Sequence, residues 1–227
     1  MKLLLTSLGL STEVHVDQLE ALLGKPLGVS TLMYVPTALH ATPGGASAGY
    51  EMLSFARPQD WASVGFLELT ALTDVPPERW QPDVEAADAL MVGGGNTPYL
   101  SHWLQRSDFA GLLPQLLQRS VYIGVSAGSI VAGTTMHINA ARLRQDGIYD
   151  DDIYGDDAPA GAGSSKTLEL VPFAVRPHLN SPDLPRASLE QIASTVTGPT
   201  YAIDDQTAIV VEDDVVTPVG NVWHFFP

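Results

Sequence analysis

Short apolar runs alternate along the chain with stretches in which apolar residues recur at helical spacing. The apolar runs lie at residues 3–8, 29–35, 65–69, 89–92 and 121–125. The helical stretches lie between these runs, at residues 14–23, 99–105 and 109–119. Strands that are apolar throughout and separated by helices are typical of a parallel sheet covered by helices on both faces. The pattern therefore predicts an α/β fold with a mostly parallel sheet.

The C-terminal residues follow a different pattern. Three short apolar runs lie at residues 208–211, 215–219 and 222–226, separated by turn-forming residues. Closely spaced strands joined by tight turns pair antiparallel. We therefore expect a small antiparallel extension at this end of the chain. Because the sequence shows neither a repeat nor a linker, we predict a single domain over residues 1–227.

Two features of the composition restrict the function. The chain has 11 Lys and Arg against 26 Asp and Glu, a net charge of −15. An acidic surface repels phosphate backbones and anionic lipids, so we expect no nucleic-acid or membrane partner. The chain has no cysteine, which excludes disulfides, cysteine-ligated metals and a thiol nucleophile. We expect neither a metal nor another cofactor.

The N-terminal apolar run is too short to cross a membrane, because a span needs about 18 or more apolar residues. Glu13 and Asp17 follow it, and no small-residue cleavage site of the kind that ends a signal peptide is present. We interpret the run as a buried strand and predict a cytoplasmic protein.

Residues 145–165 are rich in Asp and Gly and contain few apolar anchors. This composition predicts a surface loop, and a lid over a site is the functional alternative. The spacing of an EF-hand calcium loop is absent.

A Gly-x-Ser-x-Gly motif follows the apolar run at residues 121–125. Gly124 and Gly128 flank Ser126 in it, and a helical pattern begins directly afterwards. Strand, motif and helix in this order are the context of a nucleophile elbow, where a tight turn exposes the serine hydroxyl at the start of a helix. The N–H of Ala127 can stabilise an oxyanion there. Ser126 is therefore the candidate nucleophile.

A glycine-rich loop at residues 93–95 follows the fourth apolar run. It lacks the spacing of known phosphate-binding loops. Because neighbouring parallel strands end side by side, this loop can face Ser126 across a crevice. We expect it to supply a second oxyanion donor.

A serine hydroxyl needs a base, and His178 is the first candidate. Two prolines bracket it in a loop that follows an apolar segment. His224, inside the last apolar run, is the alternative. Asp204 and Asp205 follow a short strand, and either can orient an imidazole.

These residues leave alternative architectures open. An α/β-hydrolase orders its triad as serine, acid and histidine, and Ser126, Asp205 and His224 satisfy that order. The class I glutamine amidotransferase-like fold also places its nucleophile at an elbow. Its usual nucleophile is a cysteine, which this chain lacks.

Four blocks occur in one order: G-G-G-N-T at residues 93–97, G-V-S-A-G-S at 124–129, P-F-x-x-x-P-H ending at His178, and I-D-D-x-T-A at 203–208. Together they resemble the peptidase E family. Its members are serine peptidases that cleave dipeptides with an N-terminal Asp, and they are related to cyanophycinase. The resemblance implies a flavodoxin-like three-layer sandwich of the class I glutamine amidotransferase-like type.

The resemblance also assigns roles to individual residues. It implies Ser126 as nucleophile, His178 as base, and the N–H groups of Ala127 and of Gly94 or Gly95 as oxyanion donors. The third member of the family's triad is usually a Glu, and Asp205 stands at that position. Because Asp is one methylene shorter, Asp204 stays open as its substitute.

Substrate recognition is predicted from the same resemblance. It implies that an Arg downstream of the catalytic His holds the substrate's Asp carboxylate, and Arg186 matches best, with Arg176 as a second candidate. We also expect Asn96 to contact the substrate. The predicted partner is a small peptide, and a homodimer is one possible assembly.

Overall fold

Strands and helices alternate along the chain as the apolar pattern predicts. The structure, a computed structural model, describes residues 1–42, 44–136, 166–181, 198–220 and 223–227. The strands are β1 (Lys2–Thr6), β2 (Thr31–Val35), β3 (Ser63–Phe66), β4 (Ala89–Val92), β5 (Val121–Val125), β6 (Ala174–Arg176), β7 (Thr200–Ile203), β8 (Ala208–Glu212), β9 (Val215–Val219) and β10 (Trp223–Phe226). The α-helices are α1 (Glu13–Leu23), α2 (Gly45–Ser54), α3 (Gln81–Ala86), α4 (Thr97–Arg106), α5 (Phe109–Leu116) and α6 (Ala127–Ala132). Short 3₁₀ helices lie at Leu27–Val29, Thr37–Ala41, Pro58–Asp60, Leu69–Thr73 and Pro77–Arg79.

The described strands form two sheets. The larger has seven strands in the order β3-β2-β4-β5-β1-β8-β9. Its first five strands run parallel, whereas β8 is antiparallel to β1 and β9 is antiparallel to β8. The smaller sheet has the order β10-β7-β6. This architecture confirms the predicted α/β fold with a mostly parallel sheet and a small antiparallel extension.

Alternate residues of the central strands enter two separate cores. In β1, Leu3 and Leu5 belong to one core, which also contains Phe109 of α5. Leu4 belongs to the other, together with Leu19 of α1. Side chains of a strand point alternately to the two faces of a sheet, so a strand covered on both faces must be apolar throughout. The helices therefore lie on both faces, in the three layers that were predicted.

Helices α2 and α3 are not among the predicted elements, and the last strand, β10, lies in the smaller sheet. Helix α2 was not predicted, because its sequence contains two glycines and Gly44 precedes it without a side-chain cap. The runs at residues 208–211, 215–219 and 222–226 form strands with antiparallel neighbours, as predicted: β9 pairs with β8, and β10 pairs with β7. That pairing packs Phe225 against Tyr201 at a ring-centroid distance of 4.8 Å. Aromatic contact across the strands favours this arrangement.

The carboxyl ends of β1, β4 and β5 meet at one edge of the larger sheet, since these strands are parallel neighbours. In α/β folds this edge is where binding sites form. The predicted loop at residues 145–165 lies outside the described residues. Among the helices of the described ranges, none is long and apolar enough to cross a membrane.

Candidate active site

Ser126 lies in the turn between β5 and α6 with φ 49° and ψ −106°. A non-glycine residue in so sparsely populated a conformation costs on the order of 1–3 kcal/mol. The surrounding structure must therefore hold it. A strained serine between a strand and a helix is the geometry of a nucleophile elbow.

The turn requires glycine at both flanking positions of the motif, because neither position has room for a side chain. A Cβ on Gly124 would lie 2.8 Å from Ser129 Cα, and a Cβ on Gly128 would lie 2.0 Å from the carbonyl oxygen of Val92. Real Cβ atoms do not approach other atoms so closely. The spacing of the motif is thus set by the close packing of α6 against β5 and β4.

Buried hydrogen bonds anchor the elbow to the neighbouring strands. Ser129 Oγ donates to the carbonyl oxygen of Thr6 at 2.7 Å and accepts from its N–H at 3.0 Å. Thr6 Oγ1 donates to the carbonyl oxygen of Gly124 at 2.9 Å. The Tyr122 hydroxyl donates to the carbonyl oxygen of Gly128 at 2.8 Å, and burial raises the pKa of that phenol. These bonds hold the strained turn in place.

His178 connects the serine to a carboxylate. Its Nε2 lies 2.9 Å from Ser126 Oγ, and its Nδ1 lies 2.8 Å from Asp205 Oδ1. Both distances are within hydrogen-bonding range, so the candidate nucleophile, base and acid form one hydrogen-bonded series. His178 itself has φ 64°, a second strained residue at the same site. The imidazole is placed to take a proton from Ser126 while its other nitrogen faces Asp205.

The adjacent carboxylates have different partners. Asp205 faces His178, whereas Asp204 Oδ1 accepts from the N–H of Gln206 at 3.1 Å and closes its own turn. His224 lies on β10 opposite Ala202. The structure thus brings His178 and Asp205, rather than His224 and Asp204, to the serine. The chain order is serine, histidine, acid, which differs from that of an α/β-hydrolase.

The glycine-rich loop after β4 lies against Ser126. A Cβ on Gly94 would be 3.2 Å from Ser126 Cβ and 3.4 Å from Met52 Cε. Gly95 has φ 133°, and a Cβ there would be 2.3 Å from the carbonyl oxygen of Ala38. Ala127 is the first residue of α6, where main-chain N–H groups have no acceptor within the helix. The predicted oxyanion donors therefore lie in the glycine-rich loop and in the first turn of α6, both next to the serine.

The predicted substrate-binding residues have different placements. Asn96 is 2 % exposed, and its Oδ1 caps α4 by accepting from the N–H of Tyr99 at 2.8 Å. In this structure the Asn96 side-chain oxygen therefore caps a helix, whereas the sequence predicted a contact with the substrate. Arg176 is buried in β6. Arg186 lies outside the described residues.

Three residues that sequence reasoning missed also adjoin the site. Ser7 and Ser11, in the loop after β1, contact the segments that carry His178 and Asp205. Met52 of α2 approaches Gly94. Ser7 stands at the carboxyl end of a central parallel strand, and that position was the signal that could have identified it.

Two buried titratable groups lie close to this edge of the sheet. A Cβ on Gly93 would be 2.8 Å from the Tyr34 hydroxyl, and burial raises the pKa of Tyr34 to about 12. Burial lowers the pKa of His15, which lies next to the loop that carries Asp205. Both groups are therefore neutral near pH 7. Within the described ranges, no group of three or more His, Asp and Glu side chains could hold a metal ion.

The chain is similar to known peptidases. Residues 3–219 match the family model of peptidase family S51. Peptidase E of Shewanella denitrificans is 27% identical over 209 residues, which cover 87% of this chain and 78% of that protein. Peptidase E of Shewanella baltica OS185 is 33% identical over 106 residues, 46% of this chain and 38% of that protein. The match with peptidase E of Shewanella baltica OS195 covers 56% of that protein.

Solved structures show the same fold. A Listeria monocytogenes EGD-e protein, provisionally named peptidase E, superposes with a TM-score of 0.69 at 21% identity, covering 97% of this chain and 98% of that one. A peptidase from an acI-B1 actinobacterium gives a TM-score of 0.66 at 17% identity, covering 99% and 90%. The resemblance to peptidase E is confirmed, and the extent of the family match shows that this chain belongs to peptidase family S51.

Proposed function

We propose that the chain is a serine peptidase that hydrolyses short peptides, most readily dipeptides with an N-terminal Asp. The observation that carries this proposal is the hydrogen-bonded series Ser126–His178–Asp205, at 2.9 and 2.8 Å, on a strained elbow. Membership of a peptidase family supports a hydrolase. The series supports a serine mechanism because it supplies a nucleophile, a base and an orienting acid.

The first half of the reaction forms an acyl-enzyme. His178 Nε2 removes the proton of Ser126 Oγ as that oxygen attacks the peptide carbonyl carbon. The carbonyl oxygen becomes an oxyanion, which accepts hydrogen bonds from the N–H groups of Ala127 and of Gly94 or Gly95. The imidazolium then donates its Nε2 proton to the leaving amine, and the peptide C–N bond breaks. Asp205 stays ionised throughout and fixes the ring through the Nδ1–H.

The second half returns the enzyme to its starting state. Water takes the place of the leaving amine, and His178 removes one of its protons as it attacks the acyl carbon. The ester bond to Ser126 Oγ breaks, and the serine regains its proton from the imidazolium. Each proton transfer uses a group of this chain or the attacking water.

The preference for an N-terminal Asp rests on the family resemblance and on the relatives named peptidase E. A net charge of −15 repels an anionic dipeptide at long range. A local cation must therefore bind the substrate carboxylate, and from the sequence we propose Arg186 for this role. A guanidinium is suited to it because it can donate two parallel hydrogen bonds to a carboxylate.

The proposal is tested with a panel of Xaa-Leu dipeptides and a longer, branched peptide, in the presence of EDTA. We expect cleavage of Asp-Leu above all others, lost in Ser126→Ala at unchanged thermal stability. Cleavage of many Xaa-Leu peptides would keep the serine mechanism and contradict the Asp preference. Turnover of the branched peptide alone would indicate a cyanophycinase-like activity. No turnover by the folded protein would overturn the proposal and favour a binding protein.

The role of Arg186 is tested on the same panel. We expect Arg186→Gln to raise the KM for Asp-Leu while turnover of Ala-Leu, however slow, stays the same. A loss of both activities in equal proportion would contradict a specific contact with the substrate carboxylate.

A further inference from the structure

Ser7 joins the two segments that carry the base and the acid. It follows β1 and is fully buried, at 0 % exposure. Its Oγ lies 3.0 Å from the main-chain N of His178, 3.1 Å from the carbonyl oxygen of Ile203 and 3.0 Å from that of Asp204. One hydroxyl thus contacts the main chain of His178 and that of Asp204, the residue immediately before Asp205.

The hydrogen-bonding capacity of the hydroxyl matches these partners. A serine hydroxyl donates one proton and accepts through its lone pairs. Ser7 Oγ accepts from the His178 N–H and shares its own proton between two carbonyl oxygens. Since the Ser7 side chain is fully buried, bulk water does not readily replace its hydrogen bonds, and loss of the hydroxyl would leave its partners unsatisfied.

The backbone of His178 depends on such support. Its φ of 64° is a conformation that non-glycine residues rarely adopt. Besides a local bond from the Ser181 N–H to the His178 carbonyl oxygen, two hydrogen bonds connect this backbone to other segments: the His178 N–H donates to Ser7 Oγ, and the N–H of Leu179 donates to the carbonyl oxygen of Ile203 at 2.9 Å. Strained conformations persist where the surroundings over-determine them. Ser7 supplies the one of these two bonds that links His178 to the larger sheet.

The same loop holds the acid at a second point. Ser11 Oγ donates to the carbonyl oxygen of Asp205 at 2.7 Å. The connection from β1 to α1 therefore contacts the main chain of His178, Asp204 and Asp205, although these residues are far away in sequence. The loop that follows β1 of the larger sheet is in this way connected to the segments of both His178 and Asp205.

We propose that Ser7 is a positioning residue for the His178–Asp205 pair. It touches neither substrate nor the reacting atoms, and it acts by fixing where the imidazole stands relative to Ser126 Oγ. The proposal rests on the proposed serine peptidase function. Small displacements of a catalytic group lower the rate of the chemical step far more than they weaken binding.

The test compares Ser7→Ala with Ser120→Ala. Ser120 is also a buried serine that donates to a main-chain carbonyl oxygen, that of Ala87 at 2.7 Å, but it lies at the opposite end of β5. We expect Ser7→Ala to lower kcat roughly 10- to 100-fold and to change KM less than about twofold. Ser120→Ala should leave both constants within about twofold of the unsubstituted enzyme.

Two further measurements separate positioning from general destabilisation. Ser7→Thr, which keeps the hydroxyl, should recover most of kcat. The low-field proton resonance of the His178 ring, identified by its absence in His178→Ala, should be lost or broadened in Ser7→Ala and present in Ser120→Ala. If Ser7→Ala does not fold, Ser7→Cys replaces it under the same criteria, since a thiol is a weak hydrogen-bond partner of similar size.

The possible failures are distinguishable. Equal kcat values for Ser7→Ala and Ser120→Ala in an enzyme whose activity depends on Ser126 would overturn this inference and leave the proposed function intact. An unsubstituted protein without peptidase activity would overturn the proposed function. The ring resonance would then still report whether Ser7 positions His178.

Discussion

At the scale of single residues, the site depends on which of two adjacent carboxylates faces His178. Asp205 Oδ1 lies 2.8 Å from the imidazole Nδ1, and Asp204 Oδ1 accepts instead from the N–H of Gln206. The two side chains have the same chemistry and differ in the direction that the turn gives them. Only Asp205 can therefore select the imidazole tautomer that leaves Nε2 free to act as a base.

The adjacent pair provides its own control. Asp205→Asn should lower kcat roughly 10³- to 10⁴-fold, because the amide can stabilise the wrong tautomer of His178. Asp204→Asn should lower kcat less than about tenfold, because its amide oxygen still accepts from Gln206. Steady-state kinetics on Asp-Leu measure both. Equal losses in the two variants would contradict the assignment of Asp205.

The sequence could predict the site down to this choice but not beyond it. The Gly-x-Ser-x-Gly motif identifies Ser126, and the bracketing prolines indicate His178, because both signals are local. Whether Asp204 or Asp205 faces the imidazole depends on the backbone conformation of one turn. For Ser7 the only signal is its position after a central strand, and its partners cannot be predicted because they lie 171 to 197 positions away in the chain.

At the scale of elements, the elbow exists because α6 packs directly on the neighbouring strands. Of the two motif glycines, Gly128 has the less space: a Cβ there would lie 2.0 Å from the carbonyl oxygen of Val92. Main-chain atoms at this distance cannot move aside as a flexible side chain could. The glycine therefore serves the packing of α6 as well as the turn at Ser126.

Two glycine-to-alanine substitutions test this packing. Gly128→Ala should destabilise the fold by about 3 kcal/mol or more, because the added methyl group overlaps Val92. Gly111→Ala, in α5 with no atom within 4 Å of the new Cβ, should stabilise it by about 0.5–1 kcal/mol. Urea unfolding monitored by circular dichroism measures both. A tolerated Gly128→Ala would show that α6 is packed less closely than described.

Elements with a strong pattern were predictable, and those selected by tertiary contact were not. The strands β4 and β5 were predicted at their observed bounds, because burial on both faces makes every residue apolar. Helix α2 contains two glycines and lacks a capping side chain. The partner of β10 was decided by aromatic packing on Tyr201, a contact that local sequence cannot specify.

At the scale of the whole molecule, a buried histidine links stability to pH. His15 is fully buried in α1, with Nδ1 3.0 Å from the carbonyl oxygen of Gly9. Burial lowers its pKa below the ordinary value of 6.5, and the carbonyl groups of Gln206 and Gly9 and the charge of Asp204 act weakly in the opposite direction. In the unfolded chain the same imidazole takes up a proton at a higher pH.

This difference in pKa fixes the sign of the pH dependence. As pH falls through about 6.5, the unfolded state binds a proton that folded His15 does not bind, so stability falls until the lower folded pKa is reached. His15→Asn, which keeps a donor for Gly9, should lose less stability between pH 8 and pH 5 than the unsubstituted protein. His224→Asn, on β10, is the control and should not reduce that loss. Urea midpoints at the two pH values give the comparison, and equal losses for His15→Asn and the unsubstituted protein would contradict it.

The most direct test of the whole account is covalent labelling of the nucleophile. A fluorophosphonate reacts with a serine hydroxyl that a neighbouring base activates. We expect one adduct per chain, placed on Ser126 by peptide mass spectrometry, absent in Ser126→Ala, strongly slowed in His178→Ala and retained in His224→Ala. Labelling that persists in Ser126→Ala, or that depends on His224 rather than His178, would contradict the central claim that His178 activates Ser126.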